Sequence, residues 1–207
     1  MHIFAVQTQS KPGRALEGAA LAKSIAELGT KETGIETLAW RAVAGLPMGT
    51  CALTGRSEDL DELNDATTKL MTIPEFAKLQ KASADVLAEP AITALNQVVA
   101  AGEGYVLKKF TEVTRATIAV GQFSAAMAWS TDMLQHYQSV TGIPAMLTLS
   151  SAGAFGEVRF TFSTDTLGEI AAANEKAAED PGYVSRLDQT GGLFNPGAET
   201  YIARRLD

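Results

Sequence analysis

The sequence predicts an α+β protein made of two diverged copies of a βαββαβ unit, and three observations predict it. Strand-like and helix-period stretches follow one another in the same order in both halves. Segments of the second half echo the first at a spacing of about 107 residues. Turn and cap residues recur, with Pro74 against Pro181 and, one residue out of step, Gly34-Ile35 against Gly142-Ile143.

The first copy opens with a strand at 2–9, where β-branched and aromatic residues lack a helical period. A helix at about 13–31 follows, with Leu16, Ala20, Ile25 and Leu28 near one face and Gly29 and Gly34 at its end. Strands at 35–43 and 49–55 flank the turn Gly45–Gly49. Ser57 can cap the second helix, which has Glu58 and Asp59 in its first turn and Leu60, Leu63, Thr67 and Leu70 as its buried stripe. A helical turn begins near Pro74, and a last strand runs from 91 to 99. The second copy reads as strand 116–123, helix 126–140, strands 143–150 and 156–162, helix 165–178 capped by Ser163 or Thr164, and strand 198–205.

The repeat is clearest at Gly49–Thr54, which lies over Gly156–Thr161 without a gap. In register, Leu60, Glu62, Leu63 and Lys69 meet Leu167, Glu169, Ile170 and Lys176. The first strands, Ile3–Gln7 and Ile118–Gln122, align once several residues are removed from the first helix. The expected division is a repeat at 1–100, a linker or strand extension at 101–115, and a repeat at 116–207. Each unit would form a four-stranded sheet with its helices on one face, so the second sheet can cover the face left open by the first.

Composition narrows the function classes. An apolar fraction of 46% with 20% charged residues is ordinary for a globular protein. A net charge of -7 without a Lys/Arg cluster argues against nucleic acid. No secretory leader and no membrane-spanning run is visible, and the lone Cys51 between apolar neighbours reads as a core residue in a cytoplasmic protein. Zinc-ligand spacing, a GxSxG elbow, a P-loop and a dinucleotide fingerprint are all missing, so no metal is expected.

The element order and the repeat resemble the dimeric α+β barrel superfamily, whose units are ferredoxin-like, with the two protomers fused in one chain. Its members include antibiotic-biosynthesis monooxygenases, NIPSNAP-like proteins, haem-degrading enzymes, polyketide cyclases and muconolactone isomerases. The resemblance implies an intrachain α+β barrel around a small-molecule pocket, in a monomer or homodimer. It further implies cofactor-independent oxygenation, cyclisation or isomerisation of a hydrophobic or aromatic substrate. The alternatives are a haem-binding protein with His136 as ligand, and a non-catalytic binding or assembly protein whose barrel is filled by its own side chains. No family motif transfers residue by residue.

Strand alternation places Cys51, Leu53, Val158 and Phe160 toward the helices, and Glu157, Arg159 and Thr161 toward the lumen. Arg159 could hold a carboxylate or phenolate, or pair with Glu157. Gln7 and Gln122, read as equivalents in the two first strands, could polarise a carbonyl or bond across the repeat. Trp40 could wall an aromatic substrate or pack. On the helix 126–140, His136 is the natural proton-transfer group, lying beside a stripe of Trp129, Met133, Tyr137 and Val140 that also reads as core. The candidate catalytic set is therefore Arg159, His136, Gln7 and Gln122, with Trp40, Tyr137 and Glu157 contacting substrate.

Overall fold

A computed structural model describes all residues 1–207. The first half runs β1 (His2–Gln9), α1 (Ala15–Thr33), β2 (Thr37–Ala44), β3 (Thr50–Ser57), α2 (Leu60–Met71), α3 (Pro74–Val86) and β4 (Ile92–Ala101). The second runs β5 (Phe110–Thr117), α4 (Phe123–Thr141), β6 (Ala145–Ala152), β7 (Glu157–Thr164), α5 (Leu167–Glu179), α6 (Pro181–Asp188) and β8 (Glu199–Arg205). Each half therefore carries one more helix than the βαββαβ plan, α3 and α6, and each of these starts on a proline at its first turn. At eight residues, α6 carries too little periodicity to stand out in the sequence.

One expected strand is displaced. β5 covers Phe110–Thr117, inside the segment read as a linker, and the chain from Ile118 turns into α4. The reason is local: of Thr111–Arg115 only Val113 is apolar, and a glutamate occupies an inward position, so the usual alternation is masked. With β5 in place, the first strands and helices of the two halves align at a constant spacing with nothing removed, and α1 and α4 are both 19 residues long. The structural counterpart of Gln7 is then Arg115, not Gln122. Gln7 faces Ala52 across β1 and β3, as Arg115 faces Arg159 across β5 and β7. Gln122 lies on no strand; it is the exposed residue preceding α4.

The chain divides into two compact units, Met1–Gln97 with Ala203–Asp207, and Val98–Ile202. In the first, β4, β1, β3 and β2 form an antiparallel sheet, and the Leu206 N–H donates to the Ala39 carbonyl at 2.8 Å. In the second, β5 and β6 flank β7 in antiparallel register, and the Gly102 N–H donates to the Ala145 carbonyl at 2.8 Å. The strand order β1-β3-β2-β8-β5-β7-β6-β4 closes into a barrel. No helix is long and apolar enough to cross a membrane.

Strand alternation sorts the side chains as expected. Cys51 and Leu53 pack with Ala22 and Ala26 of α1, and the Cys51 thiol is free and 2% exposed. Val158, Phe160 and Phe162 pack with Ala126 and Leu134 of α4.

The two units repeat one helix stop. Thr33-Gly34-Ile35 and Thr141-Gly142-Ile143 end α1 and α4 with the glycine left-handed, at φ 79° and 74°. In each, the threonine hydroxyl donates four residues back, to Gly29 or Tyr137, and accepts from the isoleucine N–H. The later helices start differently from expectation. Asp59, not Ser57, caps α2, and Thr166 caps α5 in a reciprocal box with Glu169. A Cβ at Gly34 or Gly142 would meet nothing, so the cost of substitution is purely backbone. Gly34→Ala and Gly142→Ala should each lower stability by about 1–2 kcal/mol in urea unfolding, and by similar amounts in the two repeats.

Candidate functional site

A cavity of about 120 Å³ lies within the second unit, between α4, α5 and α6 and the strands β5, β6 and β7. It occupies the helix side of the sheet, not the face turned away from the helices where the sequence reading put the pocket. Trp129, Met133, Leu134 and Tyr137 reach it from α4, Tyr183 and Leu187 from α6, and Phe160 and Phe162 from β7. Its polar lining comprises Glu112 and Thr114 from β5, Thr161 from β7 and Asn174 from α5, beside the tyrosines.

Glu112 stands opposite Phe162 in the β5–β7 ladder, which sets its side chain on the helix face. It is only 7% exposed, and Asn174 Nδ2 donates to its Oε2 at 2.9 Å. Burial pushes the carboxyl above the usual carboxylate range, and the Asn174 bond draws it part of the way back. Tyr137 is 8% exposed and its hydroxyl has no hydrogen-bond partner. Burial, then the nearby Glu112 and Tyr183, raise its pKa and keep the phenol protonated. Its ring lies 5.1 Å from that of Phe162 and 6.2 Å from that of Tyr183. Trp129 meets Phe160 and Phe194 edge-on and donates its indole N–H to the Arg186 carbonyl at 2.9 Å. The site thus offers a proton acceptor of raised basicity and an unused O–H donor within an aromatic enclosure.

Helix α6 is clasped to α4 at several points. His136 Nε2 and Asp180 Oδ1 lie 2.7 Å apart, and the same Oδ1 accepts the Tyr183 N–H. Arg186 Nε donates to Asp132 at 2.6 Å. Asp180 is accordingly held below its ordinary pKa, first by the His136 bond and then by backbone N–H groups. These contacts position Tyr183 and Leu187 over the cavity.

The first unit has no such site. The positions equivalent to Glu112, Tyr137 and Asn174 hold Phe4, Gly29 and Thr67. A Cβ at Gly29 would lie 3.4 Å from the Thr37 hydroxyl, and one at Gly18 would collide with Ser10 at 1.9 Å. Helix α1 therefore rests directly on its sheet.

No family model matches the chain, and no curated protein matches it in sequence. Solved structures do match it along its whole length. A candidate monooxygenase from Fusobacterium nucleatum superposes with a TM-score of 0.72 at 10% identity, over 100% of this chain and 92% of that one. An anthrone oxidase-like protein gives 0.71 at 9% identity, over 100% and 91%. A candidate monooxygenase from Lactobacillus acidophilus gives 0.68 at 8% identity, over 99% and 93%. The chain has the dimeric α+β barrel fold. At these identities the likeness establishes the fold and nothing finer.

Within this α+β barrel the sequence-derived candidates scatter. Tyr137 lines the cavity, and His136, next to it on α4, is committed to Asp180. Arg159 lies on the face of β7 turned away from the helices and pairs with Glu157 through Nε at 2.7 Å and Nη2 at 2.6 Å. Beside them Arg115 pairs with Glu199. Trp40 is buried at 5% exposure in the other unit, its indole N–H donated to Thr54 at 2.9 Å. Gln7 is on β1 and Gln122 is exposed before α4, and neither is among the residues that line the cavity. Sequence reasoning missed Glu112 and Asn174. The available signal was a glutamate on the inward parity of a strand, and it was hidden because the strand itself was masked.

The raised pKa of Glu112 has a consequence for stability. Between the ordinary carboxylate pKa and the raised native value the folded chain binds more protons than the unfolded one, so stability falls as pH rises through that window. Glu112→Gln retains an acceptor for Asn174 and removes the buried charge. Its melting temperature at neutral pH should exceed that of the wild type, at about 2–4 °C per kcal/mol relieved for a chain of this size. The difference should shrink in acid, where Glu112 is protonated in both states; calorimetry across pH measures it.

Proposed function

We propose that this protein is a small-molecule enzyme that performs proton-transfer chemistry on a hydrophobic, aromatic or enolisable substrate in the cavity of the second unit. The observation that carries this reading is a buried carboxyl of raised pKa facing the same aromatic cavity as an unpartnered phenol. A general base works best when its pKa is drawn toward the working pH, and burial moves Glu112 in that direction. A preorganised donor aimed at developing negative charge supplies the complementary half, and Tyr137 has no competing partner.

The step balances without a co-reactant. The Glu112 carboxylate takes a proton from a carbon beside a carbonyl. The C–H electron pair forms the new C=C bond, and the carbonyl π pair moves to oxygen, where the Tyr137 O–H holds it. The carboxylic acid then returns a proton to a conjugated carbon, which gives isomerisation or, where that carbanion attacks a second carbonyl, cyclisation. Oxygenation of a phenol would begin instead with removal of its O–H proton by the same carboxylate and would require dioxygen as oxidant. The fold likeness to proteins named for oxygenation is compatible with either outcome.

A non-catalytic binding protein is the second reading, and the Arg159–Glu157 ion pair favours it, because that guanidinium is already engaged. In the haem alternative the Nδ1 of His136 would be the ligand, its Nε2 being bonded to Asp180. The experiment that separates catalysis from binding is solvent-deuterium exchange into small cyclic ketones, followed by NMR. The wild type should accelerate exchange, and Glu112→Gln should lose about 10²–10⁴ of that acceleration while still binding the ketone. Equal exchange with and without the wild-type protein would leave only the binding reading.

A further inference from the structure

We infer that the cavity selects uncharged compounds of a single six-membered ring bearing one oxygen substituent, such as phenols and cyclic enones. This rests on the acid–base reading of Glu112 and Tyr137 and adds the substrate class to it. Size is the first argument. A closed cavity of about 150 Å³ holds benzene, and this partly open one, at about 120 Å³, is of the size that seats a single ring between its walls. Shape agrees with size. The edge-on Trp129–Phe160 pair and the tilted Tyr137–Phe162 pair present flat apolar surfaces to a flat guest.

Charge is the second argument. No lysine, arginine or histidine is among the lining residues, while Glu112 is. A ring carrying a carboxylate would have to shed its water beside a like charge with no cation to compensate. Polarity is the third. The Tyr137 hydroxyl is buried without a partner, and an oxygen on the ring satisfies it where a plain hydrocarbon does not.

The probes are phenol, toluene, benzoate and 1-naphthol, titrated against the full chain with ligand-observed NMR and thermal shift. Phenol should bind most tightly, toluene more weakly, and benzoate and 1-naphthol not measurably. Tyr137→Phe should weaken phenol about 3–10-fold and leave toluene unchanged. Met133→Ala, which enlarges the cavity from its α4 side, should admit 1-naphthol, and it serves as the test should the tyrosine variant fail to fold.

Binding of benzoate or 1-naphthol to the wild type as tightly as phenol would overturn the inference, as would failure of all four probes to bind. The deuterium-exchange result stands apart from these outcomes. Glu112-dependent exchange in a bulkier ketone would reject the single-ring limit and keep the acid–base reading. Selective phenol binding with exchange in cyclohex-2-enone indifferent to Glu112→Gln would reject the chemistry and keep the ligand class.

Discussion

The distance at which a helix rides over its sheet is set by the side chains on its inner stripe, and in this protein that spacing decides where a site can exist. In α1 the stripe is Gly18, Ala22, Ala26 and Gly29, all buried. A Cβ at Gly18 would overlap Ser10, and one at Gly29 would already touch Thr37. In α4 the same positions hold Ala126, Ser130, Leu134 and Tyr137. Leu134 and Tyr137 act as props between α4 and its strands. Interiors fill their space when they can, yet here the rings of Tyr137, Phe160 and Phe162 line a partly open cavity.

That cavity gives Glu112 its character. A carboxylate facing a close-packed core would be expelled or neutralised. At the edge of a cavity it keeps one compensating bond, from Asn174, and pays for the rest in a raised pKa. The Tyr137 hydroxyl is in the complementary condition, a donor with nothing to donate to. Unsatisfied polar groups are scarce in folded proteins because each destabilises the native state. Two groups left incompletely satisfied on one cavity wall are the observation on which the proposed acid–base reading rests. The contrast with Arg159 and Glu157 is direct, since those two satisfy each other and leave nothing for a substrate to complete.

The sequence carried most of the architecture because the architecture rests on periodicity. The spacing of the repeat, the order of elements and the inward parity of Cys51, Leu53, Val158 and Phe160 all follow from alternation and from glycine and proline positions. β5 escaped because Glu112 and its polar neighbours break the alternation where the site needs them, and with β5 misplaced Gln122 was paired with Gln7 in place of Arg115. Tyr137 was legible as a candidate only through its helical stripe. Asn174, a polar residue on a helix otherwise rich in alanine, gave no sign of which face it occupied. His136 drew attention through its titration range, but its place on α4 directs it to the start of α6, where it holds Asp180 in its capping role.

The likeness of the two units makes the contrast between them plain. In the first unit the equivalents of Glu112 and Tyr137 are Phe4 and Gly29, and the helix closes directly onto the sheet. That unit keeps the shared helix stop at Thr33-Gly34-Ile35 and the antiparallel ladder, so it preserves what folding requires without the aromatic cavity of the second. The second unit keeps the same ladder and the same stop, then departs from its twin at the inner stripe and on one strand. Because the departures fall at positions that do not define the ladder register, the two copies could diverge in chemistry without diverging in topology. A single chain with one tight unit and one propped unit then carries one site where a symmetric pair of identical subunits would carry two.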